Sequence, residues 1–143
     1  MIPSVLIRTL LSGANLGEVE SLNDWSLWIG GQPTNKPIRC VAIYDSGGLA
    51  PDPKWRLDNP SIQVRVRGGV NDYEEAFKKA KELSNFLVGI ESQDVTEDRL
   101  VAINAIGDVA YIGRDDKNQP EFVFNLRLIT EPGIATVTNR EPL

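Results

Sequence analysis

Pro60-Ser-Ile-Gln-Val-Arg-Val-Arg67, then Gly68-Gly69-Val70, then Asn71-Asp-Tyr-Glu-Glu-Ala-Phe-Lys-Lys-Ala-Lys-Glu-Leu83 changes its hydrophobic period within a few residues. Over 61–67 the period is two: Ile62, Val64 and Val66 share one face, and Gln63, Arg65 and Arg67 the other, so this is a strand covered on one side. Gly68-Gly69 ends it. Beyond it Tyr73, Ala76, Phe77, Ala80, Leu83, Leu87 and Ile90 recur at helical spacing as one stripe. Asn71 with Glu74 predicts a capping box, and Glu74–Lys78 and Glu75–Lys79 predict i, i+4 ion pairs. A one-sided strand running straight into an amphipathic helix sets an α+β reading, with the helix stripe laid on the apolar strand face.

Residues 90–98 read as an acidic loop. Leu100–Ile106 and Val109–Ile112 flank Gly107-Asp108, which predicts a tight hairpin. A polar turn over 113–120 leads to a last strand with Phe122, Phe124, Leu126 and Leu128 on one face and Val123, Asn125, Arg127 and Ile129 on the other. Residues 2–12 have helical spacing with Pro3 in the first turn. Trp25, Leu27 and Ile29 suggest a short strand, and the apolar run 38–44 a strand covered on both faces. Residues 45–60 make the longest loop, and Trp55 and Leu57 there serve no turn chemistry. The expected architecture is a mostly antiparallel sheet of about four to five strands with helices packed on one face. One domain spans 1–133, and 134–143 form an exposed tail.

The 143 residues suffice for one domain with its own core, and 41% hydrophobic and 24% charged residues are ordinary for a globular protein. No apolar run is long enough to cross a membrane, and the start lacks a signal-peptide pattern, so the chain reads as made in the cytosol. A net charge of −5 disfavours general nucleic-acid binding. The absence of histidine removes Ser-His and Cys-His nucleophilic systems and imidazole metal ligands. The lone cysteine, Cys40, lies in an apolar run and reads as a buried small hydrophobe.

Candidate chemistry is thin. Gly68-Gly69-Val70-Asn71-Asp72 stands where phosphate loops occur but lacks their glycine spacing and lysine; a strand stop with a helix cap explains it. Asp115-Asp116 has too few companions for a calcium loop and reads as a turn. Asp94, Glu97 and Asp98 read as a solvated acidic loop. No catalytic, cofactor or metal residue is assigned, and the chain reads as a non-enzyme. The polar face with Arg65, Arg67, Asn125 and Arg127 is open to three readings: a phosphate or DNA patch, ion-pairing at a subunit contact, or a wet sheet face. Trp55 and Leu57 are the second candidate contact, because tryptophan is enriched at interface hot spots. Trp25 and Trp28 fit a core.

Three pieces, in this order and spacing, resemble the tail-terminator (minor capsid, tail-completion, head–tail joining) proteins of tailed bacteriophages. They are Pro60–Gly68 running into the Asp72-Tyr73 helix start, the helix Tyr73-Glu-Glu-Ala-Phe-Lys-Lys-Ala80, and Ile112-Gly-Arg-Asp-Asp116 leading to Phe122-Val-Phe-Asn-Leu126 and Glu131-Pro132. Together they cover a little over half of the chain. The resemblance implies a self-assembled ring, typically a hexamer, at the tail–neck junction of the virion. Such a ring caps the major tail tube protein, stops its polymerisation, and meets the head-completion (connector) protein of the neck, while DNA passes through the hole without sequence-specific binding. It implies no catalytic residue. The alternative is an α+β module that binds a small ligand or peptide on its sheet face; a carboxylate hydrolase stands behind both.

Overall fold

The computed structural model describes the whole chain except residues 34–36, 134–137 and 143. In chain order the elements are α1 (Pro3–Gly13), β1 (Glu18–Val19), β2 (Ser26–Ile29), β3 (Cys40–Leu49), β4 (Asn59–Arg67), α2 (Tyr73–Leu87), β5 (Gln93–Val95), β6 (Asp98–Arg114) and β7 (Pro120–Glu131). The strands form one seven-stranded sheet in the order β1-β2-β3-β4-β7-β6-β5. β1, β2 and β3 are parallel neighbours, and every other pairing is antiparallel. The fold is α+β as expected, but the sheet is larger and mixed. β1 and β5 are two and three residues long, too short to show a period.

The alternation read over 61–67 decides the core. Ile62, Val64 and Val66 turn to the helices and are fully buried with Phe122, Phe124, Leu126 and Leu128 of β7. Leu6, Ile7 and Leu11 of α1 and Ala76, Ala80, Leu83 and Leu87 of α2 close the same cluster. Each large aliphatic side chain buried there contributes roughly 1.5–3 kcal/mol. Gly68 lets α2 approach, since a Cβ on it would stand 2.6 Å from the Ala76 Cβ. The helix begins one residue later than read. Asn71 has a left-handed φ of 57°, and Asp72 caps α2 by accepting from the Glu75 N–H at 3.2 Å. The expected i, i+4 pairs do not form: Glu75 pairs with Arg39 at 2.5 Å and Lys79 with Glu82 at 3.1 Å. Glu75 has taken a tertiary partner, and Lys79 an i, i+3 partner on the same helix.

Three further expectations change. Gly107-Asp108 is no hairpin turn. β6 runs unbroken through it, and the pairing with β7 shifts register between Ile106 and Ala110. A left-handed glycine (φ 74°) between apolar runs suits a bulge as well as a turn, and β7, later in the chain, supplies the partner. The acidic loop holds β5 and a turn to β6; Asp94 and Glu97 are exposed, but Asp98 is buried and accepts from the Gly133 N–H at 3.0 Å. The long loop shrinks to 50–58, because β3 extends to Leu49 beside β4. Of the expected C-terminal tail, 134–137 and 143 lie outside the described residues. Residues 138–142 run along the 50–58 loop, with backbone bonds from Arg56 N to Glu141 O (2.7 Å) and Glu141 N to Lys54 O (2.8 Å).

Candidate functional site

The sheet face turned away from the helices carries most of the residues singled out by alternation. Arg65 stands beside Val123, Gln63 beside Asn125 and Ser61 beside Arg127 across β4 and β7. A chain of contacts crosses this face. The Arg65 guanidinium lies 5.4 Å from the centre of the Tyr44 ring and donates to Gln63 Oε1 at 3.3 Å; Gln63 Nε2 donates to Asn125 Oδ1 at 3.4 Å. Burial raises the pKa of the Tyr44 hydroxyl, and neighbouring Arg65 partly opposes that rise. Arg65 Nε is buried with no hydrogen-bond partner among the described residues. Arg127 is half-buried, and its side chain makes no hydrogen bond or ion pair among them.

Arg67 does not belong to this open face. It is 4% exposed. Its guanidinium donates to the Pro33 carbonyl at 2.9 Å and to the Ile38 carbonyl at 2.9 and 3.3 Å. Gln119, also buried, donates to the Gly68 carbonyl at 3.0 Å close by. Alternation placed Arg67 on the polar face correctly, but its guanidinium is held by the returning chain at Pro33 and Ile38, and Cys40 and Ala42 of adjacent β3 are buried as well. The Cys40 thiol is pushed up to about 11 by burial.

Trp55 and Leu57 lie apart from this face, in the 50–58 loop. The Asp52 carboxylate accepts from the N–H groups of Trp55 and Lys54, both at 2.8 Å, which holds it below the usual carboxylate range. Lys54 Nζ stands 5.0 Å from the Trp55 ring centre, and Trp55 remains exposed. Leu57 is half-buried. Arg140 ties the loop from the C-terminal side, donating to Asp58 Oδ1 at 2.8 Å and to the Asp52 carbonyl at 3.2 Å.

The sequence reading missed an aromatic patch. Tyr73, Phe77, Tyr111 and Phe122 meet edge-on or tilted with ring centres 5.0–5.6 Å apart, and all but Phe122 are exposed. The helical stripe is wider than the footprint of α2 on the sheet, so its first two aromatics overhang. Trp25 is half-buried, with Arg39 and Lys79 at 5.4 and 5.3 Å from its ring. Trp28 donates to Ser26 Oγ at 2.7 Å. No group of three or more Asp, Glu or Cys among the described residues is disposed to hold a metal ion, and no helix among them is long and apolar enough to cross a membrane.

The profile of a family described as bacteriophage tail terminator protein matches residues 10–132. The chain belongs to the bacteriophage tail terminator family. A search of curated proteins finds no match to it. The matched span of this tail terminator runs from within α1 to just past β7, so it holds the whole sheet and both candidate surfaces. The protein is therefore a structural component of a phage tail.

Proposed function

We propose that this tail terminator assembles into a hexameric ring on the head-proximal end of the tail tube. The ring stops polymerisation of the major tail tube protein and joins the tail to the head-completion protein of the neck. DNA passes through the ring without specific binding, in keeping with a net charge of −5. Residues 1–133 act as one domain in this role. The observation that carries the proposal is the family match over 10–132. The open sheet face supports it, because Arg65 Nε lacks a partner there and unpaired buried donors are costly unless a neighbour or water satisfies them. That face, with Arg65, Asn125 and Arg127, and the loop with Trp55 and Leu57 are the surfaces that meet neighbouring proteins in the tail. Arg65→Glu with Arg127→Glu reverses the charge of the face without touching the core. The doubly substituted protein is expected to stay folded by circular dichroism and to lose assembly on purified tubes. Unimpaired assembly of a folded double variant refutes that use of the face.

A further inference from the structure

The sheet has two open edges, at opposite ends of its strand order. β5 covers β6 only from Asp98 to Leu100. From Val101 to Arg114 the other flank of β6 has no strand beside it among the described residues. β2 covers β3 only from Cys40 to Ile43, so Tyr44–Leu49 is likewise open on that flank. An open strand edge presents a row of unpaired N–H and C=O groups, and proteins that stay monomeric blunt such edges with lysine, proline or a covering element. A bulge interrupts each edge, at Gly107 on β6 and between Asp45 and Gly48 on β3, and the Ile103 carbonyl of β6 accepts from the Gly89 N–H at 3.3 Å. Over Asn104–Gly113 and Tyr44–Leu49, however, there is no lysine, no proline and, among the described residues, no covering strand. Between Asn104 and Gly113 the only charge is Asp108, which is held by Lys81 of α2 at 2.9 Å. Between Tyr44 and Leu49 the only charge is Asp45, which accepts from Ser4 N at 2.9 Å and Ser4 Oγ at 2.6 Å. Apolar side chains stand out instead: Ile106, Tyr111 and Ile112 at 44% exposure on β6, and Leu49 at 58% on β3.

We infer that the open edge of β6 in one copy pairs with the open edge of β3, Tyr44–Leu49, in a second copy of this chain. The inference rests on the ring reading above and assigns its subunit contact. The occupant follows from three features. An edge of backbone donors and acceptors takes an extended strand. The chain carries a second open strand edge whose six residues span at most about 20 Å at roughly 3.3 Å each, shortened by the bulge between Asp45 and Gly48. The two edges are different surfaces at opposite ends of one sheet, and such a heterologous contact closes into a ring when its rotation allows. β3 also links the two candidate surfaces: Tyr44 carries Arg65 on its ring, and Leu49 leads into the loop of Trp55.

The test uses proline and amide exchange on the full chain. Ala105 and Ile106 face Leu126 and Asn125 of β7 in consecutive register. Amides alternate in direction along a strand, so one of the two points at β7 and the other at the open edge. Of A105P and I106P, the one that keeps the parent melting temperature has lost only an outward N–H, and it is expected to stay monomeric under conditions where the parent forms rings. In parent rings the amides of 104–112 and of 45–49 are both expected to exchange at least about tenfold more slowly than in the monomer. Rings from the stable proline variant, or protection missing from either segment, overturn the inference while leaving the ring reading intact. Protection of 104–112 alone indicates β6 pairing with its own copy and also overturns it. A parent that stays monomeric even with tail tubes overturns both.

Discussion

Arg67 and Arg127 occupy the same polar sheet face by alternation, yet the structure gives them opposite weights. Arg67→Met removes three donor contacts to the carbonyls of Pro33 and Ile38 from a residue 4% exposed. A hydrogen bond to a charged group contributes about 1.5–3 kcal/mol, and a buried acceptor left unsatisfied costs about 1–3 kcal/mol. These ranges overlap in what they count, so a net loss of about 2–4 kcal/mol is expected. In a domain of this size 1 kcal/mol shifts the melting temperature by about 3–4 °C, so R67M should melt roughly 6–15 °C lower. Arg127→Met removes no bond among the described residues and should stay within about 0.5 kcal/mol, or about 2 °C. Scanning calorimetry of the two variants against the parent reads both values. Equal shifts, or a larger fall for R127M, would refute the anchoring of Arg67 at Pro33 and Ile38.

Gly48 has a φ of 111° in the irregular stretch of β3, and a Cβ there would press on the Asn59 carbonyl and lie 2.6 Å from Ser61 N. G48A should therefore cost at least about 1–3 kcal/mol, read as a lower denaturation midpoint; an unchanged midpoint contradicts this β3–β4 register. Cys40, buried with its thiol pushed up to about 11, should resist alkylation at pH 8 until the protein unfolds, by mass spectrometry. Asp24 accepts from Arg39 at 2.5 Å, which lowers its pKa in the folded state. Its contribution is present above the unfolded value of about 4 and is lost as pH falls through the lower folded value. Asp24→Asn should thus narrow the stability gap between pH 6 and pH 3 by about 0.2–1 kcal/mol, since the pair is partly exposed.

The central unit was legible because its signals are local. Alternation over 61–67 and the stripe over 73–87 each need only their own residues, and both sides of the core followed from them. Asp115 accepting from the N–H groups of Lys117 and Gln119, at 3.0 and 2.9 Å, is the turn chemistry its sequence suggests. What escaped depends on distant partners. Gly107-Asp108 reads as a turn until β7 lies alongside, and the exposure of Arg67 depends on a chain segment about thirty residues earlier. The aromatic overhang at Tyr73 and Phe77 depends on how far α2 reaches across β7 and β6. The 50–58 loop looked unsupported because Arg140, which ties it, lies far along the chain. Among the singled-out surface residues, Arg65, Asn125 and Arg127 came together, while Trp55 and Leu57 formed a separate surface.

The measurement closest to the central claim is the mass of the purified protein by light scattering over a concentration series, with electron microscopy of the same samples with and without tail tubes. Ring termination predicts closed rings of six copies, or a monomer that becomes a ring at one end of each tube and halts its growth. A protein that stays monomeric and leaves tube growth unchanged would contradict it.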